Sequence, residues 1–503
     1  MTGFYSKAEP DYDLTEQQQT PYVDAVEAHI ARSPISLMVP GHGNDPKRGT
    51  TQIADLFGDK VAAFDLPQLL DGIDLGPNAP IVQAHELAAK AWGAYKTWFC
   101  TNGASQANKM AAIAIRGLGQ NVLVQRSAHS SFTDGIIAAG LKPSFVLPNV
   151  DQRNGVSHGL TPEALEAAFA QATEKIDSVY VVSPSYFGAT ADVARLAEVA
   201  HKHGAALVVD CAWGAHFGFH EQLPESPARL GADLVISSTH KLAGSLTQSA
   251  MLHLCDTAYT EKLLPFVERS FMMTASTSMS AILQGSLDVA RKTMATSRAQ
   301  IGKSVALANE LRERIRESEH FSLLCDTFGE YPDIVAIDPL RIAIDVSKLA
   351  KTGHWIQGKM KADDAIFFEM STVTVIVAVI GAGSLPDLDR IMDALNSVVQ
   401  KAGLRGENEE LEKFPAFPSP GEMVLLPKDA YFGEIETVSA ADAIGRVSVD
   451  SLAAYPPGIP NVVPGEVITE QLVEFLGAVA ASPVGYVRGA KDPLVTQYRV
   501  LKK

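Results

Sequence analysis

Residues 205–241 read AALVVDCAWGAHFGFHEQLPESPARLGADLVISSTHK, and the two apolar runs in this stretch set the fold. Runs of Val, Ile and Leu without polar alternation are typical of strands buried on both faces. Similar runs recur, mostly with helical stretches between them, giving seven strand candidates between residues 97 and 254: TWFCTNG, NVLVQ, SFVLP, SVYVVSP, AALVVD, DLVISS and AMLHL. Strands that alternate with helices predict an α/β fold with a mostly parallel sheet covered by helices.

Further segments predict how the rest of the chain is organised. We predict an N-terminal arm (residues 1–60), a large domain (61–300), a small α/β domain (301–405) and a C-terminal α+β domain (415–503). A charged, proline-rich stretch, GENEELEKFPAFPSPGE, precedes the last of these and is typical of a linker. A chain of 503 residues is long enough for roughly two to four domains, which agrees with this division.

The composition limits the partners of the protein. With 42 basic and 58 acidic residues, the formal charge is −16, so a phosphate backbone would be repelled and nucleic acid is not expected as a partner. A small cationic substrate would not be repelled. No apolar run approaches the length of about 20 residues that spans a bilayer, so no membrane association is expected.

The N-terminal residues and the cysteines favour the reducing cytoplasm as the location of the protein. The first residues, MTGFYSKAEPDYDLTEQQQ, have neither the basic nor the apolar region of a signal peptide. The four cysteines show no CxxC spacing, which argues against structural zinc and a disulfide framework. The histidines at residues 201–203 and the pair His216 and His220 have no carboxylate or cysteine at ligand spacing, so we expect no metal.

A lysine within the quoted stretch is the first candidate for chemistry. Lys241 follows the strand DLVIS at the edge of the sheet where open α/β proteins bind ligands, beside Ser238 and His240. Burial lowers the pKa of a lysine and makes its amine nucleophilic, and the neighbouring hydroxyls and imidazole could hold a phosphate. The alternative is a solvated loop lysine beside a helix cap.

An acid marks the end of the preceding strand. Asp210 closes AALVV, where a carboxylate is costly unless it is paired, and a protonated pyridine nitrogen would be such a partner. The alternative is an Asp that caps the next segment. Ala212, two residues further on, is small enough to pack flat against an aromatic ring.

Two further strand ends complete the pattern. Gly103, Ala104 and Ser105 open a helix after TWFCTN, and a helix N-terminus is an anion site, although an ordinary N-cap serine is the alternative. His129 follows NVLVQ and could stack on a planar cofactor or be a structural histidine. A phosphate cup, a stacking ring, an acid and a lysine at one sheet edge together predict pyridoxal 5′-phosphate (PLP) as cofactor.

The chain resembles the Orn/Lys/Arg decarboxylases over most of its length. The matching motifs are VPGH (39–42), NGASQAN (102–108), SYFG (185–188), DCAWGAH (210–216), STHK (238–241), AIGR (443–446) and PPGIPNVVPGE (456–466). The resemblance implies the aspartate-aminotransferase fold of PLP fold type I, in the short form that has no N-terminal wing domain. It implies that Lys241 joins the cofactor, that His129 stacks on it, and that Asp210 pairs with its ring nitrogen.

The resemblance also implies the reaction and the assembly. It implies decarboxylation of arginine, lysine or ornithine to agmatine, cadaverine or putrescine, with Lys241 or His240 returning a proton to Cα. Glu466 would bind the cationic tail of the substrate. The alternative is that Glu466 only opens the following helix, where the helix dipole favours an acid. The site would lie at the interface of a homodimer or higher oligomer, where the partner could supply acids near Asp65 and Asp71 or the loop around residues 247–248.

Departures from the family pattern keep two other functions open. In DCAWGAH, Trp213 replaces a histidine and Cys211 replaces an acid, and Ala104 replaces a hydroxyl in the phosphate turn. We predict that Trp213 lies at the substrate. Because Trp213 replaces a polar residue there, an inactive scaffold or regulatory paralogue remains an alternative. An aminotransferase or lyase is the other alternative, since such enzymes grip the α-carboxylate with a small-domain arginine. Arg341 could be taken for that residue, but we expect an edge-strand arginine that faces solvent.

Overall fold

The computed structural model describes residues 4–7, 9–49, 51–406, 418–455, 459–482 and 485–503. Its central feature is a sheet of seven strands: β1 (Lys96–Cys100), β2 (Asn121–Gln125), β3 (Lys142–Val146), β4 (Ser178–Val182), β5 (Ala206–Asp210), β6 (Leu234–Ser237) and β7 (Ala250–Leu254). Their order is β1-β7-β6-β5-β4-β2-β3, and β7 runs in the direction opposite to the other six strands. The predicted mostly parallel sheet of seven strands is therefore confirmed.

Both faces of this sheet are buried, which explains the continuous apolar runs. In β5, Val208 packs in one apolar cluster, whereas Leu207 and Val209 pack in another. Every second side chain faces each layer, so a strand between two layers has no solvent side. The helices of this region are Pro80–Trp92, Gly103–Ile115, Ser130–Ala139, Pro162–Gln171, Val193–Lys202, Thr239–Leu242, Thr260–Thr274 and Ala281–Thr296.

The N-terminal arm lies against the large unit. Its helices are Leu14–Gln17, Pro21–Ala31, Thr51–Phe57 and Asp59–Phe64. The buried guanidinium of Arg291 donates to the backbone oxygen of Gln17 at 2.7 Å and also pairs with Asp288. This buried cation ties the arm to the helix Ala281–Thr296.

A smaller unit follows the long helix Arg298–Arg316. It holds an antiparallel sheet of order β8-β9-β11-β10, formed by β8 (Ser322–Leu323), β9 (Arg341–Asp345), β10 (Met370–Ser371) and β11 (Val375–Val379), with helices Gly353–Asp364 and Leu388–Ala402. The predicted domain boundary at residue 300 falls inside the helix Arg298–Arg316, so no loop separates the units there. A two-residue pairing of Ala189–Thr190 with Ala336–Ile337 joins the units a second time.

The C-terminal unit packs two small groups of strands around the helix Glu470–Ala481. The strands are Ile435–Ser439 with Gln497–Leu501, and Leu452–Tyr455 with Ile459–Val462 and Tyr486–Arg488; the short helices are Pro427–Tyr431 and Ala440–Ala443. The described residues do not include the first three residues of the motif at 456–466, nor most of the predicted linker. Within the ranges that are described, no helix has both the length and the apolar character needed to span a bilayer.

Candidate active site

The predicted site residues lie where strands of the large sheet end. Asp210 is the last residue of β5, and Lys241 lies in the one-turn helix Thr239–Leu242, whose cap Ser238 directly follows β6. Gly103 begins the helix after β1, and His129 caps the helix after β2. Burial lowers the pKa of His129, Asp210 opposes this shift and Lys241 adds to it, so the charges of Asp210 and Lys241 both act on this ring.

Lys241 has the environment expected of a reactive amine. Its Nζ lies 3.7 Å from the ring centroid of Trp213. The pKa of Lys241 is lowered to about 8, chiefly by burial; Asp210 and Glu369 oppose the shift, and Arg341 adds to it. A substantial fraction of the amine is therefore neutral near physiological pH, which an exposed loop lysine would not show.

Asp210 is held by three donors beneath the site. Its Oδ2 accepts hydrogen bonds from the Tyr180 hydroxyl at 2.6 Å and from Asn108 Nδ2 at 3.1 Å, and its Oδ1 accepts from the Ala212 amide at 3.0 Å. Burial and Asp210 raise the pKa of Tyr180 well above its usual range, so the hydroxyl remains a donor. A carboxylate has about four acceptor positions, so one remains for a further donor.

His129 presents a neutral ring. Its Nδ1 accepts from the Ser131 amide at 3.2 Å and lies 2.8 Å from the Ser131 hydroxyl. Burial lowers the pKa of His129, and Lys241 and Arg488 lower it further, against the opposing effect of Asp210. Since Nδ1 is an acceptor, the neutral ring carries its proton on Nε2. Such a ring can stack on a planar group without adding charge.

An anion cup is predicted at the start of the helix Gly103–Ile115, and the donors available there differ from the predicted set. The Gly103 amide is committed to the backbone oxygen of Gln248 at 2.9 Å. The amides of Ala104 and Ser105 lie in the first turn, where no intrahelical acceptor exists. Gln106 Nε2 is buried without a partner among the described residues. Gln106 belongs to the motif NGASQAN (102–108) from which the anion site was predicted, although its side chain was not singled out as a donor.

His240 and Ser238 complete the lysine segment. His240 is half-buried, and burial lowers its pKa, as does the neighbouring Lys241. Ser238 is buried, and its backbone oxygen accepts from the Lys241 amide at 3.0 Å. The imidazole is therefore mostly neutral at physiological pH and close to the reactive amine in sequence.

Arg341 corrects one sequence-based expectation. It was expected on an edge strand facing solvent, but β9 pairs on both sides and the side chain is 1% exposed. Its Cζ lies 3.7 Å from the ring centroid of Trp213, the ring that Lys241 also contacts, and its Nη2 donates to the Tyr186 carbonyl. Burial lowers the pKa of Arg341 to about 10, so it remains a cation at neutral pH.

Glu466 has a different partner from the predicted one. Its carboxylate is 1% exposed and accepts two hydrogen bonds of 2.8 Å from Arg126, and Oε2 also accepts from the Val463 amide. The alternative that Glu466 opens a helix is wrong, because that helix begins at Glu470 after the cap Thr469. The substrate role of Glu466 stays a prediction, and this neutralised arrangement does not favour it.

Two charged residues near the site were missed from the sequence. Arg488, in the C-terminal unit, donates to the Ser130 hydroxyl at 2.6 Å and acts on the pKa of His129. Glu369 is exposed, yet its charge acts on both Lys241 and Arg341. Their sequence neighbours contain no motif, so only the fold brings these residues to the site.

The remaining predicted residues have local partners. Asp65 lies 3.1 Å from Nε2 of His42, and Gln248 Nε2 donates to Asn102 at 3.2 Å; a contribution from a second subunit stays a prediction for these residues, for Asp71 and for Thr247. His216 pairs with Asp338 at 3.0 Å. In the parts of the chain that the structure describes, no cluster of His, Cys, Asp and Glu could hold a metal ion.

Comparisons with known proteins identify the family. The model of the Orn/Lys/Arg decarboxylase major domain matches residues 20–395, and that of the family's C-terminal domain matches residues 412–483. The arginine decarboxylase of Bacillus subtilis is 32% identical over 498 residues, which is 97% of this chain and 99% of that protein. The arginine decarboxylase of Bacillus anthracis is also 32% identical, over 97% of this chain and 98% of its own length.

A solved structure supports the fold. Lysine decarboxylase A from Pseudomonas aeruginosa superposes with a TM-score of 0.81 over 97% of this chain and 81% of that one, at 21% identity. The predicted aspartate-aminotransferase-like α/β fold is confirmed by this likeness and by the seven-stranded sheet. The chain therefore belongs to the Orn/Lys/Arg decarboxylase family, as predicted, and is a decarboxylase of basic amino acids.

Proposed function

We propose that this protein decarboxylates L-arginine to agmatine and CO2 with PLP as cofactor. The observation that carries the proposal is the amine of Lys241, which lies 3.7 Å from the Trp213 ring centroid just after β6, at the sheet edge where the neighbouring strand β5 ends in Asp210; burial there lowers its pKa to about 8. Arginine is chosen among the basic amino acids because the relatives that match nearly the whole chain at 32% identity are arginine decarboxylases.

The donors and acceptors at the site fit PLP. The unpartnered Gln106 Nε2 and the first-turn amides supply donors for a phosphate at a helix N-terminus. Asp210 keeps one acceptor position for a protonated ring nitrogen, and Ala212 and His129 offer a small and a flat surface for the ring. Lys241 offers the amine that an aldehyde requires.

The residues of the chain divide the work of the reaction. PLP supplies the electron sink when the bond from Cα to the carboxylate breaks. Asp210 would hold a proton on the ring nitrogen and keep that nitrogen cationic. Lys241 would hold the cofactor through its amine, and Nζ of Lys241 or the imidazole of His240 would return a proton to Cα. The carboxylate leaves as CO2 and this proton takes its place, which balances the reaction.

Glu369 is the acid that we assign to the substrate's cationic tail. It is exposed at the site and acts electrostatically on Lys241, whereas Glu466 is already neutralised by Arg126. The net charge of −16 also favours approach of a cation, to a degree that salt screening reduces.

The assembly and location also belong to the proposal. A homodimer or higher homo-oligomer is supported by exposed apolar side chains on the arm, where Ile35, Leu37 and Val39 are 79%, 95% and 73% exposed. The reducing cytoplasm is supported by four cysteines that are all free. The four-part domain division of the sequence stays a prediction.

An aminotransferase is the second candidate, and one observation favours it. Arg341 is buried at the site and is a cation, as the carboxylate-gripping arginine of such an enzyme would be. The two reactions differ in their products: decarboxylation releases CO2 and needs no keto acid, whereas transamination consumes one keto acid, forms another from the amino donor and releases no CO2.

The test supplies the purified protein with L-arginine, L-lysine or L-ornithine and measures CO2 and the amine formed. We expect agmatine from L-arginine as the main product, and visible absorption from bound cofactor. Lys241→Ala should abolish both the turnover and this absorption. Cadaverine or putrescine as the main product would overturn arginine as substrate. A colourless protein that releases no CO2 would indicate the scaffold or regulatory alternative.

A further inference from the structure

A chain of hydrogen bonds joins two groups of the site that follow different strands. Asn108 Nδ2 donates to Oδ2 of Asp210 at 3.1 Å and to the hydroxyl oxygen of Ser131, also at 3.1 Å. That hydroxyl lies 2.8 Å from Nδ1 of His129. Asn108, Ser131 and Asp210 are 1%, 1% and 3% exposed, so these bonds form where the local dielectric is low and hydrogen bonds are strong. The carboxylate that ends β5 is thereby connected to the imidazole that follows β2.

Each donor in this chain has one possible direction. The Tyr180 hydroxyl lies 2.8 Å from Oδ1 of Asn108, which places the oxygen of this amide toward Tyr180 and its amino group toward the two acceptors. Because the Ser131 oxygen accepts from Asn108, its own proton is directed to Nδ1 of His129. The Ser131 backbone amide donates to the same nitrogen at 3.2 Å. Two donors of one residue therefore converge on Nδ1.

This arrangement opposes both protonation and rotation of the His129 ring. A proton on Nδ1 would face the Ser131 amide and would deprive both Ser131 donors of their acceptor. A half-turn of the ring would move Nδ1 away from these donors. Buried donors that lose an acceptor cost free energy, so either change is unfavourable. Within the described part of the chain the ring is held through Nδ1, and the proton on Nε2 is the donor left for a ligand.

Charged groups around the imidazole cannot replace these hydrogen bonds. Burial is the main factor against a charged ring, Lys241 and the C-terminal unit's Arg488 add to it, and Asp210 and Asp134 oppose it. Such charges favour or disfavour an added proton. Which nitrogen carries the single proton of a neutral ring is set by the hydrogen bond that the other nitrogen makes. That selection is made by Ser131.

We propose that Ser131, aligned by Asn108, is a positioning residue that fixes His129 in the tautomer with its proton on Nε2 and holds the plane of the ring for the cofactor. The identity of the cofactor rests on the proposed function, whereas the network consists of the chain's own residues. Asp210 gains a second task, because its charge orients the amide that orients the hydroxyl. Without the Ser131 hydroxyl, only the backbone amide would select the tautomer.

The direct test is nitrogen-15 NMR of the full chain labelled at histidine, near neutral pH, with and without PLP. The signals of His129 are those that disappear in His129→Asn. The wild type should carry its proton on Nε2, and Ser131→Ala should lower the ratio of this tautomer to the other about three- to tenfold, the effect of one hydrogen bond. Ser131→Thr keeps the hydroxyl and should restore the ratio.

The matched control is Ser178→Ala. Ser178 is also 1% exposed, but its hydroxyl has no partner among the described residues and it lies at the start of β4, away from the site. This variant should keep the tautomer ratio of the wild type. In equilibrium dialysis, Ser131→Ala should bind PLP about three- to tenfold more weakly, whereas Ser131→Thr and Ser178→Ala should not.

A double variant tests the connection through Asn108. Asn108→Ala should lower the tautomer ratio in the wild-type background, because it removes the donor that aligns the Ser131 hydroxyl. In the Ser131→Ala background it should lower the ratio no further, since the two residues act on the ring through the same contact. Additive effects of the two changes would show that Asn108 does not act through Ser131 and would overturn the proposed chain.

Three other results would overturn the proposal: an unchanged tautomer ratio in Ser131→Ala, an equal fall in Ser178→Ala, or unchanged PLP affinity in Ser131→Ala. If Ser131→Ala does not fold, Ser131→Cys is measured instead, and it must show the same fall because a thiol is a weak donor. A wild type that fixes the tautomer and binds PLP but forms no agmatine would reject the proposed function and leave the role of Ser131 standing.

Discussion

The buried pair of Arg126 and Glu466 gives the sharpest prediction for stability and decides the role of Glu466. The side chains are 9% and 1% exposed, and two hydrogen bonds of 2.8 Å join them. Arg126→Met leaves the carboxylate buried without its cation, and removing one partner of such a pair costs about 3–5 kcal/mol. The same change also removes the contact of the guanidinium with the Phe145 ring, at 4.4 Å.

A double variant separates the pair from the packing. Glu466→Gln in the Arg126→Met background removes the uncompensated charge, so we expect the double variant to recover about 1–3 kcal/mol of the loss. Hydrogen exchange of backbone amides at residues 459–467 measures the local opening free energy of this segment. A loss below about 1 kcal/mol in Arg126→Met, or a double variant as unstable as the sum of the two single variants, would refute the reasoning.

The same variants test substrate binding. If Glu466 only neutralises Arg126, Glu466→Gln should change KM for L-arginine less than about threefold, which corresponds to less than 1 kcal/mol. A rise above tenfold, with the fold intact by hydrogen exchange, would restore Glu466 as the acid that binds the cationic tail.

Three further predictions concern the site. Glu369→Gln should raise KM for L-arginine about three- to tenfold at low salt and by less at high salt, since an exposed charge is screened; no salt dependence in steady-state kinetics would contradict this. Burial lowers the pKa of Lys241 to about 8, so the neutral amine predominates above that pH. The rate at which PLP binds the cofactor-free protein, measured by stopped-flow absorbance, should therefore rise between pH 7 and pH 9. A rate that does not change with pH would contradict this prediction. Gln106→Leu should weaken the binding of PLP about tenfold in equilibrium dialysis, because it removes an unpartnered donor from the anion cup. The control is Gln83→Leu, which removes an amide bound to the backbone of Asn78 and should leave the PLP affinity unchanged. Equal PLP affinities of the two variants would refute the anion cup.

The sequence predicted those features that depend on local pattern. The continuous apolar run before Asp210 required a strand covered on both faces, and β5 packs against two apolar clusters. Lys241 and His129 were predicted as site residues because each comes shortly after such a strand, and the carboxyl ends of parallel strands meet at one edge. The anion cup was predicted from glycine and small residues at a helix start, and the cofactor roles of these residues stay predictions.

The features that were missed depend on contacts between distant residues. Arg341 meets a carbonyl 155 residues earlier in the chain, and Arg126 meets a carboxylate 340 residues later. The run RIAID reads as an ordinary strand, and nothing in it shows whether the arginine faces solvent or another unit. The start of the last helix was misjudged for a local reason, because Thr469 rather than Glu466 caps it.

The contact between Gly103 and Gln248 has a consequence for how the protein acquires its cofactor. The chain leaves Lys241, turns at Gln248 and is tied back to the anion cup through the Gly103 amide and through Asn102. This closed loop joins the two proposed attachment points of the cofactor before any ligand arrives, so the entropy of aligning them would be lost during folding rather than during binding. Mutations that lengthen the loop should therefore slow cofactor capture even where every contacting side chain is retained.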